Sequence, residues 1–114
     1  MAIPTGSGSE RLKRASLVAG TGWREILSGT NLHIYTIVSL VFSSASASTG
    51  GIGIQANDGS NDITLVSWSG TNVGGYGTFI FNDKIVLEED DDLDVYSAVS
   101  GAWWLSYIDQ NWID

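Results

Sequence analysis

His33-Ile-Tyr-Thr-Ile-Val-Ser-Leu-Val-Phe-Ser43 decides the fold. The stretch contains neither Gly nor Pro, and β-branched and aromatic residues dominate it, which suits a pleated, packed strand. Read at a period of two, Ile34, Thr36, Val38, Leu40 and Phe42 share one face. Tyr35, Ile37 and Val41 share the other, so the pattern predicts a strand largely covered on both sides.

Similar but shorter runs flank it on each side. Toward the N-terminus, Ser28-Gly29-Thr30-Asn31 reads as a turn, Trp23 to Leu27 as a short strand, Gly20-Thr21-Gly22 as a turn, and Arg11 to Ala19 as a strand. Toward the C-terminus, the Ser/Ala/Thr/Gly-rich run from Ser43 to Gly51 reads as an exposed, mobile loop. Ile52 and Ile54 mark a strand, and Asn57-Asp58-Gly59-Ser60-Asn61 is a hairpin turn signal leading into Asp62 to Trp68. A second Gly-rich loop runs from Ser69 to Gly77. Thr78 to Asn82 is a strand, with a tight turn at Asn82-Asp83 into Ile85 to Leu87. Leu93 to Val99 and Ala102 to Asp109 complete the set. Short strands with turn signals at roughly 8–12-residue spacing predict an all-β antiparallel sandwich, and a jelly roll in particular, because so many strands must stack to hide their edges. Pro4 and the small residues around it make residues 1–10 an extended N-terminal arm, and residues 11–114 a single β-sandwich domain.

The chain carries a net charge of −8, unevenly placed. Arg11, Lys13, Arg14 and Arg24 lie in the first quarter, and Lys84 is the only later Lys or Arg. Glu88 to Asp92 and Asp94 form an acidic run. A basic start on an acidic body suits contact between copies and argues against nucleic-acid binding, which needs a basic face for phosphates. No apolar run approaches the ~20 residues of a membrane-spanning helix, and no apolar signal core follows Met1.

Little in the sequence points to catalysis. There is no Cys, so zinc–thiolate, disulfide and thiol chemistry are excluded. His33 is the only histidine and reads as a surface residue at a strand start. No Gly-x-Ser-x-Gly elbow occurs, and Gly6-Ser7-Gly8-Ser9 lacks the Gly-Lys-Ser/Thr of a phosphate loop. The acidic run lacks the spacing of an EF-hand and reads as a solvated turn. The expectation is a non-enzyme with no cofactor and no metal.

The aromatics carry more. Ala102-Trp-Trp-Leu-Ser-Tyr-Ile-Asp-Gln-Asn-Trp-Ile-Asp114 ends the chain on apolar surface that something must cover. Trp103 and Trp104 are adjacent, so on a strand one enters the core and the other faces out. Contact with a subunit or partner is the leading reading of the outward ring. Cover by the chain itself is one alternative, and a sugar-binding face lined by Trp23, Trp68, Trp103, Trp104 and Trp112 is the other.

The opening Met1-Ala-Ile-Pro-Thr-Gly-Ser-Gly-Ser-Glu10, with Leu12, Lys13 and Arg14, resembles the start of small virion structural proteins of tailed bacteriophages. His33 to Leu40, Thr78 to Leu87 and Ser106 to Trp112 look like further blocks of the same proteins. The resemblance runs from end to end and is weakest over Ser43 to Gly75. It implies a capsid- or tail-associated structural protein and carries over no catalytic residue. The combined expectation is a capsid decoration (cement) protein located in the virion. It would bind the major capsid protein or another virion protein and form a homo-oligomer, with a trimer favoured. Its contacts would come from Ile3, Arg11, Lys13, Arg14, Trp104, Trp112 and Ile113. The alternatives are a neck or tail adaptor or fibre-associated subunit, and a carbohydrate-binding module for host adsorption.

Overall fold

The computed structural model describes residues 9–111. Ile3, Trp112 and Ile113 lie outside the described residues. Ten strands run in chain order: β1 (Ser9–Ala19), β2 (Gly22–Ser28), β3 (His33–Ser44), β4 (Gly50–Asn57), β5 (Asp62–Val66), β6 (Asn72–Val73), β7 (Thr78–Phe81), β8 (Ile85–Leu87), β9 (Asp92–Ser97) and β10 (Gly101–Asn111). Every pairing is antiparallel. The first sheet has the order β1-β10-β3-β7, with β8 also on β3. The second has the order β2-β9-β4-β5, with β6 also on β4.

Two short strands share one position in each sheet. β7 pairs with Leu40–Ser43 of β3 and β8 with Tyr35–Ile37 of the same strand. Thus Asn82-Asp83 interrupts one edge strand and does not fold it into a hairpin. β5 and β6 divide the edge of β4 in the same way. Counted by position, each sheet has four strands, and the chain crosses between the sheets at every step except the β4–β5 hairpin, which is the jelly-roll sandwich.

The core lies between the sheets. Phe42, Leu40, Ile37, Trp103 and Leu105 from the first sheet meet Ile52, Ile54, Leu93 and Val95 from the second, all essentially without solvent exposure. Trp103 packs on Phe42 with ring centroids 4.8 Å apart. Gly101 is glycine because a Cβ there would strike the Phe42 ring, 2.6 Å from its Cζ. The β4–β5 turn is built as its residues suggest. Asp58 Oδ1 accepts from the Ser60 and Asn61 amides, and Gly59 takes a positive φ of 93°.

β3 corrects the simple alternation. Its core-facing residues are Tyr35, Ile37, Leu40 and Phe42, so the inward face switches parity midway. The reason is a bulge against β10: Ser106 pairs with Ser39 and Tyr107 with Ile37, which leaves Val38 as the extra residue. The outward residues of β3 are half-buried, as the sequence pattern predicts, with Ser43 alone exposed.

Candidate functional site

Residues that alternate with the core positions form the outer faces of the two sheets. On the first sheet the register sets them in rows. Leu12, Ile108, Thr36 and Val86 lie side by side on β1, β10, β3 and β8. Ser16, Trp104, Val41 and Ile80 form another row, and Val18, Ala102, Ser43 and Thr78 a third. Leu12, Val18, Ile80, Val86 and Trp104 are all exposed, with Val18 at 88% and Leu12 at 76%. Together they make this the more apolar of the two outer faces.

Trp104 is the outward member of its pair, 48% exposed, against 1% for Trp103. Beside it lies an apolar groove of about 380 Å³, bounded by Trp104, Val18 and Ser16, with Val41, Ser43 and Ala102 as further lining. A second hollow, of about 330 Å³, shares Val18, Ser43 and Ala102 and continues toward the β9–β10 turn. Arg14 sits between the rows. Its guanidinium carbon is 4.4 Å from the Trp104 ring centroid, and Nη1 donates to Ser16 Oγ at 3.4 Å. The stack places a positive charge over the ring's negative face and leaves the guanidinium in water.

β1 therefore separates the three bases that stand close in sequence. Arg14 belongs to the outer face. Arg11 and Lys13 project to the inner side, at the open end of the sandwich, opposite Asp109 and Tyr107. Asp109 is only 4% exposed. Its Oδ2 accepts from Lys13 Nζ at 2.8 Å and its Oδ1 from His33 Nδ1 at 2.6 Å. Burial works to raise the Asp109 carboxyl, yet the bonds from Lys13 and His33 outweigh it and hold it below the usual carboxylate range. The same bond raises the Lys13 ammonium. A small hollow of about 140 Å³ lined by Ser9, Arg11, Lys13, His33, Asp109 and Asn111 opens above the pair. His33 is thus a half-buried partner of Asp109, not a free surface residue. The three residues come from β1, β3 and β10, so no local sequence signal joins them.

The acidic run is equally divided. Glu88 to Asp91 form the β8–β9 turn, in which the Glu88 amide donates to Asp91 Oδ2 at 2.8 Å. Glu89 Oε2 accepts from the Leu32 amide at 3.3 Å, tying this turn to the β2–β3 connection. Asp92 and Asp94 lie within β9 and face outward.

The outer face of the second sheet is unlike the first. Trp23, Tyr96 and Gly53 are direct partners across β2, β9 and β4. Trp68, from the β5–β6 connection, lies over Gly53 and Gly51. Glu25, Asp94, Gln55 and Thr64 form the next row, and Ser28, Asp92, Asn57 and Asp62 the one after it. Desolvation, then the charges of Asp92 and Asp94, raise the Glu25 carboxyl. Desolvation raises Asp94, with Asp92 and Asp62 adding to the effect and the Gln55 hydrogen bond opposing it. Among the described residues, no group of three or more potential ligands could hold a metal ion. Among the described residues, no helix is long and apolar enough to cross a membrane.

The chain matches no family model, and no curated protein matches its sequence. Solved structures do match in shape. A chain of the Bacillus endospore appendages, described as disulfide-linked pili, aligns over 100% of this chain and 97% of its own, with a TM-score of 0.54 at 10% identity. A chain of infectious bursal disease virus, Gx strain, aligns over 92% of this chain with a TM-score of 0.52 at 12% identity. That viral chain is covered over only 33% of its length, so this protein spans about a third of it. At such identities the likeness is one of fold. It also marks a chemical difference: with no cysteine, this chain cannot reproduce a disulfide linkage between subunits.

Proposed function

We propose that this chain is a non-enzymatic structural subunit that docks onto a larger assembly through the outer face of its first sheet. The observation that carries the reading is the gathering of Leu12, Val18, Ile80, Val86 and Trp104 on that face beside an open apolar groove. A four-strand face about 11 residues long spans roughly 15–20 Å by 35 Å at usual strand spacings. Its area approaches the ~800 Å² per partner of a standard protein interface. The sequence resemblance to small virion proteins supports the finer form of the reading, a decoration protein on the capsid of a tailed phage. Its fold, shared with a pilus chain and a viral chain, suits a subunit used in many copies. Repetition over a lattice would turn a modest contact into a firm one. In this reading Arg14 and Trp104 are interface residues, Arg11 and Lys13 shape the end of the sandwich, and Ile3, Trp112 and Ile113 add contacts from the two termini.

The test is attachment to purified particles. Quantitative mass spectrometry should find the chain in near-stoichiometric ratio to the major capsid protein. Particles lacking it should lose heat resistance and regain it on adding the wild-type chain, but not Leu12→Ser/Ile80→Ser/Val86→Ser. A copy number of a dozen or fewer would move the protein to the neck or tail, and absence from particles would overturn the structural reading.

A further inference from the structure

Trp23, Tyr96 and Trp68 form a continuous aromatic strip on the face opposite the proposed docking surface. Tyr96 is the middle ring, with its centroid 5.3 Å from Trp23 and 5.4 Å from Trp68. The planes tilt by 48° and 41°, so Trp23 and Trp68 each pack obliquely against Tyr96. Gly53 makes this possible. A Cβ there would come within 3.2 Å of both Trp23 and Trp68 and 3.3 Å of Tyr96. A side chain at position 53 would crowd Trp23, Trp68 and Tyr96 by a few tenths of an ångström.

Cover for the bare backbone of β4 explains one side of these rings. It does not explain why Trp68 remains 50% exposed and Trp23 38% exposed beside rows of carboxylates, amides and hydroxyls. Immediately beside the strip lies the row Glu25, Asp94, Gln55 and Thr64, which offers acceptors, an amide and a hydroxyl at strand spacing. Flat apolar rings flanked by a line of hydrogen-bonding groups complement a chain of pyranose units, whose ring faces present C–H groups and whose edges present hydroxyls. Among the described residues, every ion pair lies elsewhere, and Glu25, Asp92, Asp94 and Asp62 have no basic partner on this face. An acidic polysaccharide would be repelled.

We infer that the outer face of the second sheet binds a neutral polysaccharide, stacked on Trp23, Tyr96 and Trp68 and hydrogen-bonded by Glu25, Asp94 and Gln55. The inference does not need the assembly reading, because a single free subunit would bind. A subunit docked through its first sheet would present this strip outward, and many copies would act together. Of the five tryptophans in the sequence the site uses Trp23 and Trp68; Trp104 lies on the other sheet beneath Arg14.

Affinity gel electrophoresis of the purified chain against hydroxyethylcellulose, galactomannan and arabinoxylan tests it, with polygalacturonate as the acidic probe. Retardation is expected in at least one neutral gel and none in polygalacturonate. Trp68→Ala and Trp23→Ala should each weaken the affinity by about tenfold or more, and Trp104→Ala should leave it unchanged. Circular dichroism confirms that each variant is folded. Trp23 sits on an edge strand, so its variant keeps the cover over Gly53 if Trp68→Ala unfolds. No retardation in any neutral gel would overturn the proposal. So would equal loss in Trp104→Ala, or binding to an Arg/Lys-rich peptide without binding to any of the three polysaccharides.

Discussion

The two outer faces of this sandwich are cut from the same kind of strand yet present opposite chemistry. The first displays Leu12, Val18, Ile80, Val86 and Trp104 with one guanidinium lying on an indole. The second displays four carboxylates with no ion-pair partner among the described residues and a cluster of three rings. Inward positions of both sheets are mostly apolar because the shared core is close-packed, and the buried Asp109 is matched by Lys13 and His33. Outward positions carry no such constraint. The two proposed roles rest on this contrast, and each face can be altered with little effect on the other.

The sharpest way to break the contrast between inside and outside uses two neighbouring tryptophans. Trp103→Ala should cost about 3–5 kcal/mol, the usual range for a buried large aromatic. Trp104→Ala should cost less than about 1 kcal/mol, the scale of an exposed cation–π contact. Urea denaturation measures both. Similar losses would mean that Trp104 is part of the core.

A smaller effect separates the two outer faces. Gly53→Leu must push Trp68 or Tyr96 aside and should cost about 1–3 kcal/mol, with a clear change in tryptophan fluorescence. Ala102→Leu, on the other sheet, grows into an open groove and should shift stability by no more than about 0.5 kcal/mol. Equal costs would mean that the groove is not available to a larger side chain.

The smallest effect is in the pH profile. Glu25 and Asp94 have folded pKa values above their unfolded ones, so the folded state holds the extra proton. Stability should rise as pH falls through those raised values toward the ordinary carboxylate range. Asp109 is shifted the other way. Its contribution is complete above its unfolded value of about 3.9 and is lost as pH falls through the lower folded one. The profile should peak in mild acid and decline below about pH 4. Glu25→Gln/Asp94→Asn should flatten the first limb only, and Asp109→Asn the second only.

Strand positions were legible because alternation and turn residues are local signals: Arg11 to Ala19, Trp23 to Leu27 and Ala102 to Asp109 fall within observed strands. The opposed directions of Trp103 and Trp104 followed from the same rule. The parity switch in β3 was not legible, because Val38 bulges only in relation to a partner nearly 70 positions away. The Lys13–Asp109–His33 group and the Trp23–Tyr96–Trp68 strip were also hidden, since each joins distant strands. One local trace existed for the strip. Gly51-Ile-Gly-Ile54 places two glycines in a strand, the mark of something lying close against the backbone.

The position of β10 has a kinetic consequence. It lies between β1 and β3 and supplies Trp103 and Leu105 to the core, yet it follows every other described strand in the chain. Until it emerges from the ribosome, β1 and β3 have no shared neighbour, and the first sheet cannot be completed. Folding of this subunit is then a late, long-range event of the kind that makes β-sandwiches slow. A nascent chain stalled before Gly101 should remain protease-sensitive along most of its length, and one released beyond Asn111 should become protected in a single step.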